Sequence, residues 1–349
     1  EEDYNPYEHR MVAHPTTSFE TLLHLLKGSL GTGILAMPRA FYHAGYGIGT
    51  VATIIIGLFC TYCMRILVSS EYELCKRKRV ASLSYPATAE AALAVGPMPF
   101  RRFSRASVHT INLFLMVYQL GTCCVYTVFI ATNLKMLLNN YSIKIKIYID
   151  LRLYMLAILL PLILVNWIRN LKFLAPCSTV ANFITFIGFG IILYYIFREP
   201  LSFENRDVIG NVENFPLYFG TVLFALEAIG VIMPLENEMK KPKVFMKTFG
   251  VLNIGMGVIV ALYTGMGFFG YIRYGGAIEG SITFSLGEPL ALANAVQILL
   301  AIAIFFTHPI QCYVAIDIIW NEYIAPNLEK NSHKLLWEYV VRTSLVLLT

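Results

Sequence analysis

The sequence predicts an all-α protein that crosses a membrane several times, for three reasons. Of its 349 residues, 57% are hydrophobic and only 14% are charged, and the mean hydropathy is +0.61. Soluble domains are roughly 45–50% apolar and about 25% charged. Apolar runs of about 20 residues, the length that crosses a bilayer as a helix, recur along the chain. Two of these runs are interrupted near their middles by glycine and proline.

Run length and hydropathy together predict eight spans and the start of a ninth. The spans lie at residues 19–41, 47–68, 108–138, 151–168, 173–197, 215–236, 249–272 and 287–316, and the ninth begins near Leu335. We expect residues 1–18 to form a cytoplasmic N-terminal segment and residues 19–349 to form one transmembrane domain. The chain begins without methionine and stops inside an apolar run, so we expect a fragment that is incomplete at its C-terminus.

Lysine and arginine are unevenly distributed between the two sides of these spans. With the N-terminus inside, the loops at 69–107, 169–172 and 240–248 are cytoplasmic and contain thirteen such side chains, against five in the opposite loops. Positive charge collects on the cytoplasmic side of membrane proteins, which favours this orientation. A glycosylation sequon at 140–142 lies on the opposite side, in agreement. Within residues 69–107 we expect a short amphipathic stretch at the membrane surface.

The first interrupted span contains Gly28, Gly31 and Gly33. Each glycine costs about 1 kcal/mol in a helix interior, so the cluster favours local unwinding. The freed N–H groups and the N-terminus of the following half-helix suit a carboxylate, and Ser29 and Thr32 add hydroxyl groups. One alternative is close packing of small residues against another helix. A phosphate-binding glycine loop is disfavoured because no strand precedes the run.

The second interrupted span repeats this pattern. Gly230 precedes Pro234 by four residues, whereas Gly33 precedes Pro38 by five. Four predicted spans separate the two runs, so a repeat of five spans places the interrupted helices in opposite orientations, as in an inverted repeat. Paired interruptions of this kind indicate the binding site of a secondary transporter, since irregular backbone in a membrane is tolerated beside a cavity. We therefore predict that the chain moves a small solute across a membrane.

Two ionisable side chains within spans are candidates for coupling. His24 lies one turn before Gly28, and Glu227 lies in the second interruption. Ionisable groups inside a membrane are costly and often functional. Histidine titrates near neutral pH, which suits proton coupling or pH sensing. The alternatives are a packing histidine and a carboxylate that caps unwound backbone. Glu236 and Glu238 lie near the cytoplasmic end, where we expect them to be solvated.

Polar side chains recur at helical spacing in the third and eighth spans. They are Tyr118, Thr122, Tyr126, Asn133, Asn294, Gln297 and His308. Such stripes face the bundle or a cavity rather than lipid. Tyr126 suits closure over a substrate and equally a structural hydrogen bond. The fifth span has no interior lysine or arginine to replace a sodium ion, which leaves sodium coupling open.

Other classes of protein fit less well. Cys60 and Cys63 have redox or metal spacing but no partner histidines, so we interpret them as packing residues and predict no metal and no cofactor. An enzyme needs a cluster of polar groups at one membrane face, whereas His24, His109 and His308 are scattered. No repeated pore loop or charged ring suggests a channel, and nothing suggests a nucleic-acid partner. A helical receptor or nutrient sensor is the main rival.

Several long motifs resemble one transporter family. His24–Phe41 is similar to the first-span signature of the proton-coupled amino acid transporters, solute carrier family thirty-six of the amino acid/auxin permease group. The segments Gln119–Tyr126, Glu227–Met239 and Thr307–Tyr313 also match, and Asn5–Arg10 resembles invertebrate members. The resemblance covers essentially the whole chain in order.

The resemblance implies the five-plus-five inverted-repeat fold of the amino acid–polyamine–organocation superfamily, with proton-driven uptake of small neutral amino acids. It also implies that His24 takes part in proton coupling. One departure is Thr132, where an acidic residue is expected. Sodium coupling and nutrient sensing remain the alternatives, and the membrane is either the plasma membrane or that of a lysosome or endosome.

These inferences define a predicted substrate site at the two interruptions. The first would hold the carboxylate of an amino acid, and carbonyls near the second would take its ammonium group. The predicted substrate-binding residues are Ser29, Gly31, Thr32, Gly33, Tyr126, Phe224, Glu227 and Gly230, and the predicted proton-coupling residues are His24 and Glu227.

Overall fold

The fold is all-α over the residues that the computed structural model describes, which are 4–12, 15–141, 150–169, 171–227, 229–328 and 333–349. No strand occurs among them beyond one isolated bridge between Thr16 and Met239. The helices are α1 Ser18–Ser29, α2 Thr32–Ala44, α3 Tyr46–Lys78, α4 Tyr85–Val95, α5 Met98–Arg101, α6 Ser104–Tyr141, α7 Leu151–Asn166, α8 Leu171–Phe197, α9 Phe215–Leu226, α10 Ile229–Asn237, α11 Val251–Tyr274, α12 Leu290–Asp317 and α13 Lys334–Leu347. A π-helix, Ile318–Ile324, continues α12.

Five helical stretches of the described chain are long and apolar enough to cross a membrane. They are Tyr46–Lys78, Ser104–Leu138, Thr179–Phe197, Val251–Ala277 and Leu290–Leu328. Three further predicted spans correspond to shorter helices: α1 with α2, α7 alone, and α9 with α10. The predicted all-α membrane fold is therefore confirmed.

Helix boundaries differ from the predicted ones mainly in the region after the second predicted span, residues 69–107. The predicted second span ends at residue 68, but α3 continues to Lys78 because helix-forming polar residues extend it past the apolar run. The loop that follows contains α4 and α5, and the hydroxyl of Ser84 caps α4 by accepting from the N–H of Ala87 at 3.4 Å. The sequon at 140–142 lies partly outside the described residues.

The chain divides into two compact units. The first comprises residues 1–112 and 201–281, and the second comprises residues 113–200 and 282–349. In the first unit α11 packs against α1, α2 and α3, and α2 packs against α9. In the second unit α12 packs against α7 and α8, and α13 packs against α7.

A buried tyrosine organises the core of the first unit. Tyr218 of α9 is fully buried, and its hydroxyl donates to the carbonyl of Gly49 at 2.9 Å. The same hydroxyl accepts from Thr53 at 2.8 Å. Because a buried hydroxyl without partners is costly, these two bonds fix α9 against α3.

Candidate functional site

The first helix interruption lies between α1 and α2, where the sequence predicts it. Leu30 and Gly31 leave the helical conformation, with φ/ψ of −79°/85° and −123°/−152°. The N–H of Gly31 donates to the carbonyl of Ser29 at 3.0 Å, which turns the chain between the two helices. A capping box of Thr17 and Glu20 fixes the opposite end of α1.

The interruption contains two buried hydroxyl groups without hydrogen-bond partners among the described residues. They are Oγ of Ser29 and Oγ1 of Thr32, on residues that are 9% and 6% exposed. Thr32 begins α2, whose first backbone N–H groups have no intrahelical acceptors and form the positive end of the helix dipole. Unpaired buried polar groups are rare in folded proteins. Hydroxyl donors beside a helix N-terminus fit a carboxylate.

Tyr263 of α11 holds the carboxyl end of α1 in place. Its hydroxyl is fully buried and donates to the carbonyl of Ser29. That carbonyl is thereby satisfied by the protein, whereas the N–H groups at the start of α2 are not. The interruption is therefore more positive than negative in character, which agrees with the predicted binding of a carboxylate.

The second interruption lies between α9 and α10. Helix α9 ends at Leu226, α10 begins at Ile229, and Glu227 is extended, with φ/ψ of −71°/125°. Residue 228 lies outside the described residues. Glu227 is half-buried at the end of α9. Both interruptions therefore occur where the glycine and proline pattern predicts them.

The two interruptions come together in the first unit. A Cβ added to Gly33 would lie 2.8 Å from the Cα of Ala225, which means that α2 and α9 touch at backbone level. Helix α1 in turn packs against α10. The half-helix that follows the first break thus meets the half that precedes the second, so the two interrupted helices run antiparallel.

Seven of the eight predicted substrate-binding residues belong to this region of the first unit. Ser29, Thr32 and Gly33 are buried, Gly31, Phe224 and Glu227 are half-buried, and Gly230 is exposed. Tyr126 belongs to the second unit, where it is 4% exposed and lies next to Gln311. The predicted coupling residue His24 is exposed on α1. The roles of these residues stay predictions.

Sequence reasoning missed two groups of buried charges. Glu236, expected to be solvated, is 1% exposed because Arg10 of the N-terminal segment pairs with it at 2.8 Å, so that expectation is wrong. Glu238 is exposed, as predicted. In the sequence, Arg10 lies in a polar stretch far from Glu236. Nothing local marks Arg10 as different from other arginines, because what sets it apart is that its partner Glu236 is buried.

The second group lies in the second unit around Glu338 and Arg342 of α13. Their side chains are 6% and 5% exposed and are paired at 3.0 Å, and Arg342 also donates to the carbonyl of Asn166 at 3.0 Å. The Asn166 amide lies 3.2 Å from Nδ1 of His308, a fully buried residue of the predicted polar stripe. His308 is therefore linked to a buried ion pair rather than isolated.

No group of three His, Cys, Asp or Glu side chains in the described part of the chain is arranged to hold a metal ion. What the first unit does offer is a polar interruption in an apolar helix, lined by hydroxyl groups and a helix N-terminus. Hydroxyl groups and backbone N–H groups of this kind are suited to hydrogen-bond a small polar solute.

Comparisons with known proteins show the family of the chain. A family described as transmembrane amino acid transporter protein matches residues 14–349. The chain is 40% identical over 344 residues to the proton-coupled amino acid transporter-like protein pathetic of Drosophila melanogaster, covering 99% of this chain and 72% of that protein. It is 26% identical over 306 residues to the probable amino acid transporter skat-1 of Caenorhabditis elegans, covering 87% of this chain and 66% of that protein.

The predicted resemblance is thereby confirmed at the level of the family, which consists of transporters rather than enzymes. The family match and the five long apolar helices of the described chain identify a multi-pass integral membrane protein. The chain belongs to the transmembrane amino acid transporter family.

Proposed function

We propose that the chain carries small neutral amino acids across a membrane by proton symport, with residues 19–349 as the transporter domain and residues 1–18 on the cytoplasmic side. The observation that supports this most directly is the pair of buried, unpartnered hydroxyl groups on Ser29 and Thr32 at the start of α2. They lie where a substrate carboxylate meets the positive end of a helix.

The second interruption supplies the opposite polarity. Helix α9 ends at Leu226, beside Phe224 and Glu227, and the carbonyl groups at a helix C-terminus form the negative end of its dipole. They are suited to an ammonium group. A zwitterion placed between the two breaks satisfies both helix ends at once, which favours an amino acid over a simple anion or cation.

A small side chain is favoured by the close contact between the two interrupted helices. Gly33 and Ala225 already touch, so the space beside the break is limited by backbone atoms. Among the eight predicted substrate-binding residues only Glu227 is a carboxylic acid, and none is lysine, arginine or histidine. A charged substrate side chain would thus meet few groups able to compensate its charge.

The test of substrate binding uses full-length protein in proteoliposomes. Replacing Thr32 by valine removes one hydroxyl at nearly constant volume. A hydrogen bond to a charged group contributes about 1.5–3 kcal/mol, so we expect KM for a small neutral amino acid to rise roughly 10- to 100-fold. The matched control is Thr221→Val on α9, because the Thr221 hydroxyl is exposed and donates only to the carbonyl of Leu217. Equal KM values for the two variants contradict the proposed site.

Proton coupling is supported by the first relative, whose name describes a proton-coupled transporter-like protein. In this chain the candidates are His24 and Glu227. We expect uptake to follow an imposed pH gradient and to be indifferent to a sodium gradient, and we expect His24→Ala to remove the acid-stimulated component. His109→Ala, at another exposed histidine, is the matched control.

The competing outcomes are distinct. Uptake driven by sodium alone supports the sodium-coupled alternative. Binding without uptake under either gradient supports a sensor. If His24→Ala still accumulates substrate steeply at acidic outside pH, His24 is structural and Glu227 is the next residue to replace by glutamine.

A further inference from the structure

Large apolar side chains are exposed in the connection between two helices that are long enough to cross a membrane. These helices are Tyr46–Lys78 and Ser104–Leu138, and we call residues 95–105, which lead into the second of them, the connecting segment. Four of its side chains are between 50% and 81% exposed, namely Val95, Met98, Phe100 and Phe103. Neighbouring exposed apolar groups mark surfaces that meet a membrane or another protein.

The connecting segment has a defined backbone conformation. The N–H of Phe100 donates to the carbonyl of Pro97 at 2.9 Å, and the N–H of Phe103 donates to the carbonyl of Phe100 at 3.0 Å. Nε of Arg101 donates to the carbonyl of Gly96 at 2.8 Å. Because these bonds form tight turns, the exposure of the apolar side chains belongs to the folded chain and not to an open loop.

Helix α4 attaches the connecting segment to the rest of the first unit. It packs against α3 on one side and against α5 on the other, and its buried residues are Pro86, Thr88 and Ala91. When two consecutive helices both cross a membrane, the chain between them begins and ends on the same side. The exposed apolar side chains are therefore held where α3 leaves the bilayer and α6 enters it.

Positive charge accompanies these apolar groups. Arg101, Arg102 and Arg105 are exposed, and the sequence has no Asp or Glu between Glu90 and Asp150. Basic clusters directly beside a membrane-spanning helix are attracted to anionic lipids. Arginine can keep its guanidinium among the headgroups while apolar neighbours insert below them. Further exposed cations follow the apolar part of α3, namely Arg77, Lys78 and Arg79.

We propose that the connecting segment docks on the bilayer surface and binds anionic phospholipid headgroups. Its apolar side chains insert at the level of the acyl chains, and its three arginines contact the phosphates. A soluble protein partner fits less well, because the segment lies at the membrane ends of two spanning helices. The inference goes beyond the proposed transport function, since it involves none of the predicted substrate-binding or proton-coupling residues.

Photoactivatable lipids identify what the connecting segment touches. Full-length protein is reconstituted in phosphatidylcholine liposomes that contain, at equal mole fraction, a diazirine-labelled phosphatidylserine or a diazirine-labelled phosphatidylcholine. Lipid cross-linked to residues 95–105 is then quantified by peptide mass spectrometry. We expect phosphatidylserine to be favoured by about tenfold or more, since each cation near an anionic surface contributes roughly a factor of five. Both leaflets have the same composition, so the result does not depend on orientation.

Two variants separate the charge from the apolar contact. Arg102→Gln with Arg105→Gln leaves the bond from Arg101 to Gly96 intact and removes two cations. It should lower the preference for phosphatidylserine by about fivefold or more, while cross-linking to phosphatidylcholine persists. Replacing the two exposed phenylalanines by serine should lower cross-linking to both lipids, because the inserted groups are lost.

The matched control removes two exposed cations from another loop of the first unit. It is Lys241→Gln with Lys243→Gln, and it should leave the preference at residues 95–105 unchanged. Equal cross-linking to the two lipids in the unaltered protein overturns the proposal, as does a control that abolishes the preference as fully as the arginine variant. Absence of cross-linking to either lipid overturns it too, and points to water or a protein partner. The readout needs no uptake, so its failure is distinguishable from a failure of the proposed transport function.

Discussion

Replacing Gly33 by alanine tests whether the contact between the two interrupted helices is essential. A Cβ at position 33 would lie 2.8 Å from the Cα of Ala225 and 3.0 Å from its Cβ. Carbon atoms in good contact lie about 3.5–4.0 Å apart, so the added methyl group overlaps α9 by roughly 1 Å. The nearest atom is backbone, and no side-chain rotation can relieve the overlap. The two helices must move apart.

The expected difference in stability between the alanine variants at two glycines follows from two effects of opposite sign. Overpacking a well-packed core costs about 1–3 kcal/mol. At an unobstructed helix position, in contrast, alanine is more stable than glycine by about 0.5–1 kcal/mol. Gly220, on α9 itself, is such a position, since a Cβ there would meet no neighbouring atom within 4 Å. We therefore expect Gly33→Ala to be less stable than Gly220→Ala by about 1.5–4 kcal/mol.

The assay is the free energy of unfolding of full-length protein in detergent, together with uptake in liposomes. We expect Gly33→Ala to lose uptake and Gly220→Ala to keep it. Adding Ala225→Gly removes the contact at 3.0 Å and leaves the one at 2.8 Å, so it should restore stability only in part. If Gly33→Ala is as stable and as active as Gly220→Ala, the contact is not close in solution and this reasoning is wrong.

Three further tests probe packing within each of the two units by the same unfolding measurement, and the third compares two substitutions. Tyr218→Phe removes a buried hydroxyl that donates to a backbone carbonyl of α3, and should cost about 1–2 kcal/mol. Gly45→Ala places a side chain at φ +81°, where its Cβ would also lie 2.6 Å from a carbonyl oxygen, and should cost at least ~1–2 kcal/mol. Glu338→Ala leaves Arg342 buried without its carboxylate, at a cost of about 3–5 kcal/mol, whereas Arg169→Ala, at a half-exposed partner, should cost no more than about 1 kcal/mol.

Each of these three has an outcome that contradicts it. Wild-type stability of the phenylalanine variant means that the buried hydroxyl contributes nothing. A neutral effect at Gly45 means that the turn adopts another conformation. If Glu338→Ala and Arg169→Ala lower the free energy of unfolding equally, the burial of Glu338 does not make it more important than its half-exposed partner Arg169.

Local patterns in the sequence were sufficient to predict most of the helices and both helix breaks. Glycine weakens a helix wherever it clusters, and so the break near Gly31 and the end of α9 near Glu227 were predictable without knowledge of the packing. The apolar runs likewise predicted the helices, since a bilayer imposes their length. The extension of α3 to Lys78 was not predictable from hydropathy, because its last turns leave the apolar run.

Contacts between distant parts of the chain were beyond this reasoning. The sequence placed Ser29 and Thr32 at the break, but nothing in it indicated that the Tyr263 hydroxyl would donate a hydrogen bond to the Ser29 carbonyl. Arg10 and Glu236 are separated by 226 positions, and charge pairing across such a distance depends on the path of the whole chain. The exposure of His24 was also unpredictable, because periodicity alone does not tell which side of an amphipathic helix meets another helix.

The contact between Gly33 and Ala225 makes the pair α2 and α9 stiffer than the pair α1 and α10. On one side α2 and α9 meet through backbone atoms with no intervening side chain, so they behave as a rigid pair that rotates together or not at all. On the other side the segment that precedes α1 is held to α10 and the residues after it by the Arg10–Glu236 ion pair and by two backbone hydrogen bonds of Thr16. We therefore expect strain applied to this unit to be relieved by bending at Leu30 and Glu227, so that α1 and α10 move while α2 and α9 stay together.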